Sequence, residues 1–511
     1  MSEPFTITTA ISYPNGRPHI GHAYEVVATD AIARFQRMMG RDVFFQTGTD
    51  EHGLKMAQAA RARDIEPRAL ADEMSAYFKE MNDRLNISHD RFIRTSEADH
   101  HRASQAIWRA MEANGDLYLG RYEGWYSVRD EAFYDEKEIV EGEGGVKLSP
   151  QGTPVEWTVE ESWFFRLSNY QHKLLELYEK QPDFIRPESR RNEILRFVEG
   201  GLTDLSISRT SFDWGVKVPG AEGHVMYVWV DALTNYLTGC GYPDDAARMA
   251  RYWAEGGDIT HIIGKDIVRF HTVYWPAFLM SAKLPLPRQV FGHGFLLNRG
   301  EKMSKSVGNV ADPMELADRF GVDQLRYFLL REISFGQDGS YSADAIVTRT
   351  NADLANGLGN LAQRCLSIIA KNCGGIVPAD EVETPPPGLG DMRGQVIDLM
   401  AQLKINEALE AIWEGVRAAN GYFAEMAPWA LRKTDPARAD GVLYHTAEVV
   451  RQLAILVRWV MPASADMLLD QLGQSPDARD FAALDVPIRS GMALPPPQGV
   501  FPRLELTEVD S

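Results

Sequence analysis

The chain has 511 residues, too many for one hydrophobic core, and length alone divides it into about two to four domains. A hydrophobic fraction of 44% with 24% charged residues is that of an ordinary globular protein and excludes a disordered or collagen-like chain. The net charge of −19 argues against a nucleic-acid partner only if charge is spread evenly, and it is not. Arg186, Arg190, Arg191 and Arg196 form one basic cluster, and Lys302 with Lys305 another. Either cluster is equally readable as solvated surface, so charge neither supports nor excludes such a partner. The N-terminus lacks the basic-then-apolar pattern of a signal peptide. The most apolar late stretch, residues 449–461, is interrupted by Arg451 and Arg458 and is too short to span a bilayer. The three cysteines, Cys240, Cys365 and Cys373, suit a reducing compartment without disulfides. A cytoplasmic protein with no membrane partner is the expectation.

Residues 5–11 read as a strand and 12–18 as a turn. Residues 20–39 carry Val27, Ala31, Phe35 and Met38 at helical spacing and stop at Gly40, a residue suited to a C-cap. Residues 43–45 read as a short buried strand, completing a βαβ unit whose helix begins at His19-Ile20-Gly21-His22. From about residue 115 the texture changes to aromatic strand-like pieces with acidic turns, until about residue 223. Buried strands are then expected at 225–230, 258–263 and 290–297. After residue 343 the chain turns helical. Leu354, Leu358, Leu361, Cys365 and Ile368 make one packing seam, and further helical stretches cover 393–426 and 440–472. The Pro-rich tail, 488–506, reads as an extended strap. The fold expected is α/β: a split Rossmann-type domain with a connective insertion, followed by an all-α helical bundle.

Two motifs carry chemistry. His19 and His22 share a face at a helix start, where free backbone N–H groups and the helix dipole favour an anion. Imidazole donors placed there stabilise charge building on a phosphate. The pair alone is also readable as half a zinc site, or as capping or core histidines. Gly21, without a Cβ, lets a nucleotide approach the helix. Lys302-Met303-Ser304-Lys305-Ser306 follows the 290–297 segment as a basic, hydroxyl-rich loop able to close over a triphosphate. Alone it reads as readily as exposed surface. Together, the two motifs equip one site to stabilise attack of a carboxylate on the ATP α-phosphate.

These motifs resemble class I aminoacyl-tRNA synthetases, and within them the methionyl-tRNA synthetases, nearly end to end. The resemblance implies domains at 1–114 and 225–297 (the Rossmann halves), 115–224 (connective insertion), and 298–345 (basic loop and stem contact). It further implies an anticodon-binding bundle at 346–487 and a C-terminal strap at 488–511. It makes His19, His22, Lys302 and Lys305 catalytic, and Gly21, Glu25, Gly264, Asp266 and Ser304 ATP contacts. Ala10-Ile11-Ser12-Tyr13-Pro14-Asn15-Gly16 matches a methionine-pocket segment, as do residues 227–232 and 264–271. Ala10, Ile11, Tyr13, Trp229, Ala232, Tyr236, Ile267 and His271 would then line the pocket, with Asp50 binding the substrate ammonium. An aromatic-walled slot suits a thioether, and Tyr13 and His271 can offer hydrogen bonds to sulfur. In the helical half, Asn360, Arg364, Pro428 and Trp429 match the reader of the CAU anticodon. The substrates implied are L-methionine, ATP with its Mg²⁺, and methionine tRNA including the initiator, for a monomer.

The insertion departs from the family. Many relatives carry zinc knuckles built from Cys-x-x-Cys pairs, but here Ser127 and Asp130 occupy the first cysteine positions. The second pair is missing near Leu148-Ser149-Pro150-Gln151, so a knuckle without structural zinc is expected. The insertion is too short for an editing domain. Three other readings compete: a class I ligase for another amino acid, a catalytically inactive synthetase-like RNA-binding protein, and a small nucleotidyltransferase with a similar histidine motif, which would leave the helical half without purpose.

Overall fold

In the computed structural model, residues 2–130, 132–298, 300–302, 310–379 and 390–506 are described. Six parallel strands form the main sheet, in the order Arg91–Arg94, Asp42–Thr49, Pro4–Thr9, Ile259–Gly264, Gln289–His293, Ile185–Arg186. The chain starts in the middle, at Pro4–Thr9, and winds one way through Asp42–Thr49 to Arg91–Arg94. It then returns to the other side of its first strand at Ile259–Gly264. Strand order therefore reverses between Pro4–Thr9 and Ile259–Gly264. At such a point the crossovers on either side leave in opposite directions and open a crevice at the carboxyl ends of the strands.

The insertion contributes an antiparallel sheet around the long pairing of Leu117–Ser127 with Glu156–Phe165. It also lends Ile185–Arg186 to the edge of the main sheet. Where the cysteine pairs of zinc-bearing relatives would stand, buried hydroxyls close a hydrogen-bonded cluster. Ser127 Oγ meets Thr153 Oγ1 at 2.8 Å, and Ser149 Oγ meets Thr153 Oγ1 at 2.8 Å. Asp130 Oδ2 accepts from Ser149 at 2.7 Å, from Thr153, and from Tyr134 at 3.0 Å. Among the described residues no group of three or more His, Cys, Asp or Glu side chains could hold a metal.

Three segments differ from their sequence reading. Only Val225–Met226 is strand; Val228–Gly239 is a helix, apolar on nearly every side because it is buried on nearly every side. Periodicity cannot separate such a helix from a buried strand. Residues 290–297 divide into Gln289–His293 and Leu296–Asn298, which lie in different sheets. Gly294 at the break passes so close to Gln337 that a Cβ there would stand 2.1 Å from its carbonyl oxygen. The stretches 393–426 and 440–472 each split in two. Leu403, at φ +57°, ends one run, and Pro462 restarts the other.

The C-terminal half is helical from Ala343 onward, with the 354–365 seam fully buried. The strap is extended as expected: Leu504 exchanges two 2.8 Å bonds with the Asn351 side chain, and Leu494 donates to Gly375. One apolar core joins the Ile20–Met38 helix to this bundle. Phe35 meets Trp459 and Phe481 edge-on, at 5.8 and 5.1 Å between ring centroids. Among the described residues no helix is long and apolar enough to cross a membrane.

The same helix is pinned by a buried ion pair. Arg326 Nη2 donates to Asp30 Oδ2 at 2.6 Å, Nε to the Val460 carbonyl at 2.8 Å and Nη1 to the Leu85 carbonyl at 3.1 Å. Asp30 also receives Arg34 Nε and two bonds from Ser88. Burial would push the Asp30 carboxyl up, but Arg326 and Arg34 beside it hold it below the usual aspartate range. Arg326→Leu removes the charge that compensates buried Asp30 and is expected to cost about 3–5 kcal/mol in urea denaturation at pH 7. Because the folded-state pKa is depressed, the stabilisation is present above about pH 4 and is lost as pH falls further. The stability gap between wild type and Asp30→Asn should therefore narrow on acidification below that value.

Candidate active site

The crevice is built around the start of the Ile20–Met38 helix. His19 is its N-cap, extended at φ −127° and ψ 171°, and its Nδ1 accepts from the Gly21 amide at 3.1 Å. His22 Nδ1 accepts from the His19 amide at 3.1 Å, closing a reciprocal capping box made of two histidines. Their rings stack 3.8 Å apart. A neutral imidazole that accepts at Nδ1 carries its proton on Nε2. Capping therefore fixes the tautomer in which both rings present an N–H donor at a helix N-terminus. Capping of the helix by this pair is thus compatible with donation to an anion from Nε2.

Opposite this helix start stands the end of Ile259–Gly264. A Cβ on Gly264 would lie 2.7 Å from Asp266 Oδ1, so glycine is what lets that carboxylate fold back over the strand end. Glu25, one turn into the helix, bonds His293 Nε2 at 2.8 Å, while His293 Nδ1 donates to the Gly294 carbonyl. Burial pushes the Glu25 carboxyl up against the pull of His293, and the bond to Glu25 holds His293 above its ordinary value despite burial. His293 ends the strand that leads toward the basic loop, so this pair ties the loop's stem to the histidine helix. On the loop's far side Ala311 accepts from the Ile20 amide at 3.0 Å. Lys302 lies in the short strand Glu301–Lys302, paired with Leu296–Asn298. Its side chain, with Ser304 and Lys305, lies outside the described residues.

A second group of the expected site residues gathers where the Asp50 segment meets the Val228–Gly239 helix, joined by His52 and Asp231 at 2.6 Å. Asp50 follows the Asp42–Thr49 strand in a turn tied at nearly every peptide. Its amide donates to Ser12, Glu51 accepts Trp214 Nε1 at 2.6 Å, and the His52 carbonyl accepts the Tyr13 hydroxyl at 2.9 Å. Against this turn stands the Val228–Gly239 helix, bearing Trp229, Ala232 and Tyr236. Trp229 stacks on Phe270 at 3.8 Å and 5° between planes. Phe270 and His271 sit in a π-helical segment, Phe270–Tyr274, a distortion common at functional sites. His271 Nε2 meets the Tyr236 hydroxyl at 2.6 Å, and Nδ1 bonds the Ile267 carbonyl at 3.0 Å. Burial pushes the His271 imidazole down to about 4, so it is neutral at pH 7 and polarises without charge. Sequence reading gave Tyr13 and His271 as donors to sulfur. The structure commits the Tyr13 proton to His52, and His271 bonds protein groups through both ring nitrogens. What these residues offer a side chain is aromatic surface and neutral dipoles. Ala10 and Ile11 continue the central strand beyond Thr9, the Ala10 amide donating to Ile262.

About the same crevice, a cavity of about 500 Å³ extends toward the insertion, lined by Lys55, Arg129, Arg190, Lys265 and Phe270 among others. In the bundle, Arg364 lies over the rings of Phe423 and Trp429, at 5.1 and 4.9 Å. Trp429 is 45% exposed, and Ala427 at φ +43° turns the chain so that Pro428 is buried and Trp429 is not. Asn360 is exposed one turn before Arg364 on the same helix.

The family model for class I tRNA synthetases (M) matches residues 5–366, and that for the anticodon-binding domain of methionyl tRNA ligase matches residues 392–511. The chain belongs to the methionyl-tRNA synthetases. It is 60% identical to the methionine–tRNA ligase of Mesorhizobium japonicum over 98% of each chain. It is 59% identical to that of Mycobacterium tuberculosis, also over 98% of each. Among solved structures, the Mycobacterium tuberculosis synthetase in complex with methionyl-adenylate superposes with a TM-score of 0.95 at 58% identity, covering 98% of this chain and 100% of that one. The apo form from the same organism superposes at 0.89 with 54% identity, covering 99% of each.

Three residues that the motifs did not single out contact the expected site residues or the elements that carry them: Phe270 stacks on Trp229, His293 bonds Glu25, and Asp231 bonds His52 in the segment that carries Asp50. A lone acidic residue in the apolar run 225–233 was the available signal for Asp231. The double role of His19 makes a separable expectation. His19→Asn keeps a good N-cap but removes the Nε2 donor, so the melting temperature should hold. The rate of adenylate formation should fall about 10²–10³-fold, read by pyrophosphate exchange beside a thermal melt.

Proposed function

We propose that this enzyme ligates L-methionine to methionine tRNA with every site residue acting where its matching motif stands. The reading rests chiefly on one observation: the reciprocal histidine cap sits at the strand-order reversal, close to where the Asp50 segment is tied through His52 to Asp231 of the helix bearing Trp229, Ala232 and Tyr236. Methionine binds with its ammonium on Asp50 and its side chain against Trp229, Tyr236, Ile267 and His271. ATP lies across the helix start, its ribose at Gly264 and Asp266 and its adenosine side near Gly21 and Glu25. Mg²⁺ arrives on the triphosphate as part of the substrate.

The methionine carboxylate oxygen bonds the α-phosphorus as the α–β bridging bond breaks, giving methionyl-adenylate and pyrophosphate. His19 and His22 donate from Nε2 to phosphate oxygens as charge builds, Lys302 and Lys305 offset the charge of the departing pyrophosphate, and the Ser304 hydroxyl donates a hydrogen bond to it. A ribose hydroxyl of the tRNA terminal adenosine then attacks the methionyl carbonyl and AMP leaves. The cavity whose lining mixes Lys55, Arg129, Arg190, Lys265 and Arg269 with Asp130, Glu193 and Asp266 leaves room for that single-stranded end to approach. Trp429 with Arg364 above it, Asn360 and Pro428 support the reading of a splayed CAU anticodon, on elongator and initiator tRNA alike. The proposed working form is a cytoplasmic monomer.

Exchange of pyrophosphate into ATP should depend on methionine, not leucine or cysteine, and should be lost in His22→Ala and Lys305→Ala. Well-folded protein that binds tRNA yet exchanges with no amino acid would move the assignment to an inactive RNA-binding protein. Trp429→Ala should weaken methionine tRNA binding by about 1–3 kcal/mol, measured as KM in aminoacylation, while leaving tRNA-independent exchange unchanged.

A further inference from the structure

Asp231 sits in the first turn of the Val228–Gly239 helix, fully buried, between Trp229 and Ala232 in sequence. Its Oδ2 accepts from His52 Nδ1 at 2.6 Å and its Oδ1 from His100 Nε2 at 2.6 Å. His52 belongs to the turn that carries Asp50, and its carbonyl holds the Tyr13 hydroxyl. His100 belongs to the Ala98–Ala113 helix, and its Nδ1 bonds Thr238 at 3.0 Å, two turns further along the same helix as Asp231. One carboxylate thus joins three elements that are far apart in sequence. The His52 ring is braced on its other sides by Trp214 and His101, at 5.2 and 5.3 Å. A second tie runs parallel to the first, from Gln46 to Asn235 at 2.6 Å.

Taking a carboxylate and two imidazoles out of water stabilises a fold less than well-packed apolar side chains of the same volume would. What such a cluster supplies is position, since both acceptor oxygens are directional and both donors are rigid rings. The two elements it joins bear the two ends of the proposed methionine pocket. Asp50 stands two residues before His52; Trp229 and Ala232 flank Asp231. Any change in the Asp231–His52 separation changes the length available between the ammonium-binding carboxylate and the aromatic wall.

We propose that Asp231 is a positioning residue for amino-acid selection, holding the Asp50 turn and the Trp229–Tyr236 wall at the separation that fits methionine. This rests on the assignment of Asp50 and that wall to methionine. His100 is the third leg: it fixes the rotation of the Val228–Gly239 helix by gripping Asp231 and Thr238 together.

The test is pyrophosphate exchange with L-methionine and L-ethionine, one methylene longer, on enzyme whose active sites are counted by adenylate titration. For Asp231→Asn the methionine KM should rise about 10- to 100-fold, as misplacements of about an ångström do. The ATP KM should stay within about twofold, and the preference for methionine over ethionine should fall about fivefold or more. His100→Ala should lose the same preference, and His100→Gln, which returns an amide donor where Nε2 stands, should recover it. Fewer active sites or a lower melting temperature, with methionine KM and preference unchanged, would reduce Asp231 to a structural group and overturn the proposal. If Asp231→Asn does not fold, the His100 pair decides, and identical preference in both variants overturns it. Asp50→Asn separates the two levels. An unchanged methionine KM there removes the pocket assignment and this inference with it. A raised KM there, with Asp231→Asn and His100→Ala both like wild type, removes only the inference.

Discussion

The histidine-bearing helix cannot shift against the helical half of the chain without breaking the buried bridge in which Arg326 joins Asp30 to the Val460 carbonyl. Both side chains are wholly inaccessible to water, and every polar contact they make is to protein. A buried guanidinium is costly to hold unless its donors are used, and here they reach a carboxylate and the carbonyls of Val460 and Leu85. The consequence is geometric. The helix is fixed along its length by Asp30 and by Phe35 packed on Trp459 and Phe481. Its N-terminal turn is therefore presented to the crevice at a set depth. The face bearing Trp429 and Arg364 belongs to the same helical half that carries Val460, so the histidine-bearing helix and the bundle share one core.

From that fixed helix the site grows outward by short ties. His19 and His22 orient each other through the backbone. Glu25 reaches His293 at the stem of the basic loop, and Ile20 reaches Ala311 beyond it. The second group of residues is stiffened in the same way, through Tyr13 to His52, Tyr236 to His271, and Trp229 on Phe270. A methionine pocket at the proposed place would select by shape and by neutral dipoles. Sulfur–aromatic contacts contribute only about 0.3–1.5 kcal/mol each, so discrimination depends on walls that do not yield. On the proposed assignment, that rigidity is what the buried Asp231 cluster supplies against its desolvation cost.

Much of this was legible in the sequence, for identifiable reasons. The two short motifs, the first βαβ unit and the leucine seam from Leu354 to Cys365 depend on local spacing, and local spacing survives folding. The Val228–Gly239 helix was misread because burial on all sides erases the periodicity that marks a helix. The break at Gly294 was invisible because its cause, the carbonyl of Gln337, lies over forty residues away in the chain. Asp231 and His100 are 131 residues apart, and nothing in either neighbourhood announces the other. The insertion was half visible: its lack of cysteines could be counted, but the hydrogen-bonded Ser127–Thr153–Asp130 cluster could not.

The most direct test of the account is a crystal structure of this enzyme with methionyl-adenylate bound. The account predicts the ammonium on Asp50, the thioether between Trp229, Tyr236 and His271, the ribose at Gly264 and Asp266, and the phosphate facing Nε2 of His19 and His22. A methionyl group lying outside the Trp229–Tyr236 wall, or an ammonium held by a group other than Asp50, would contradict it.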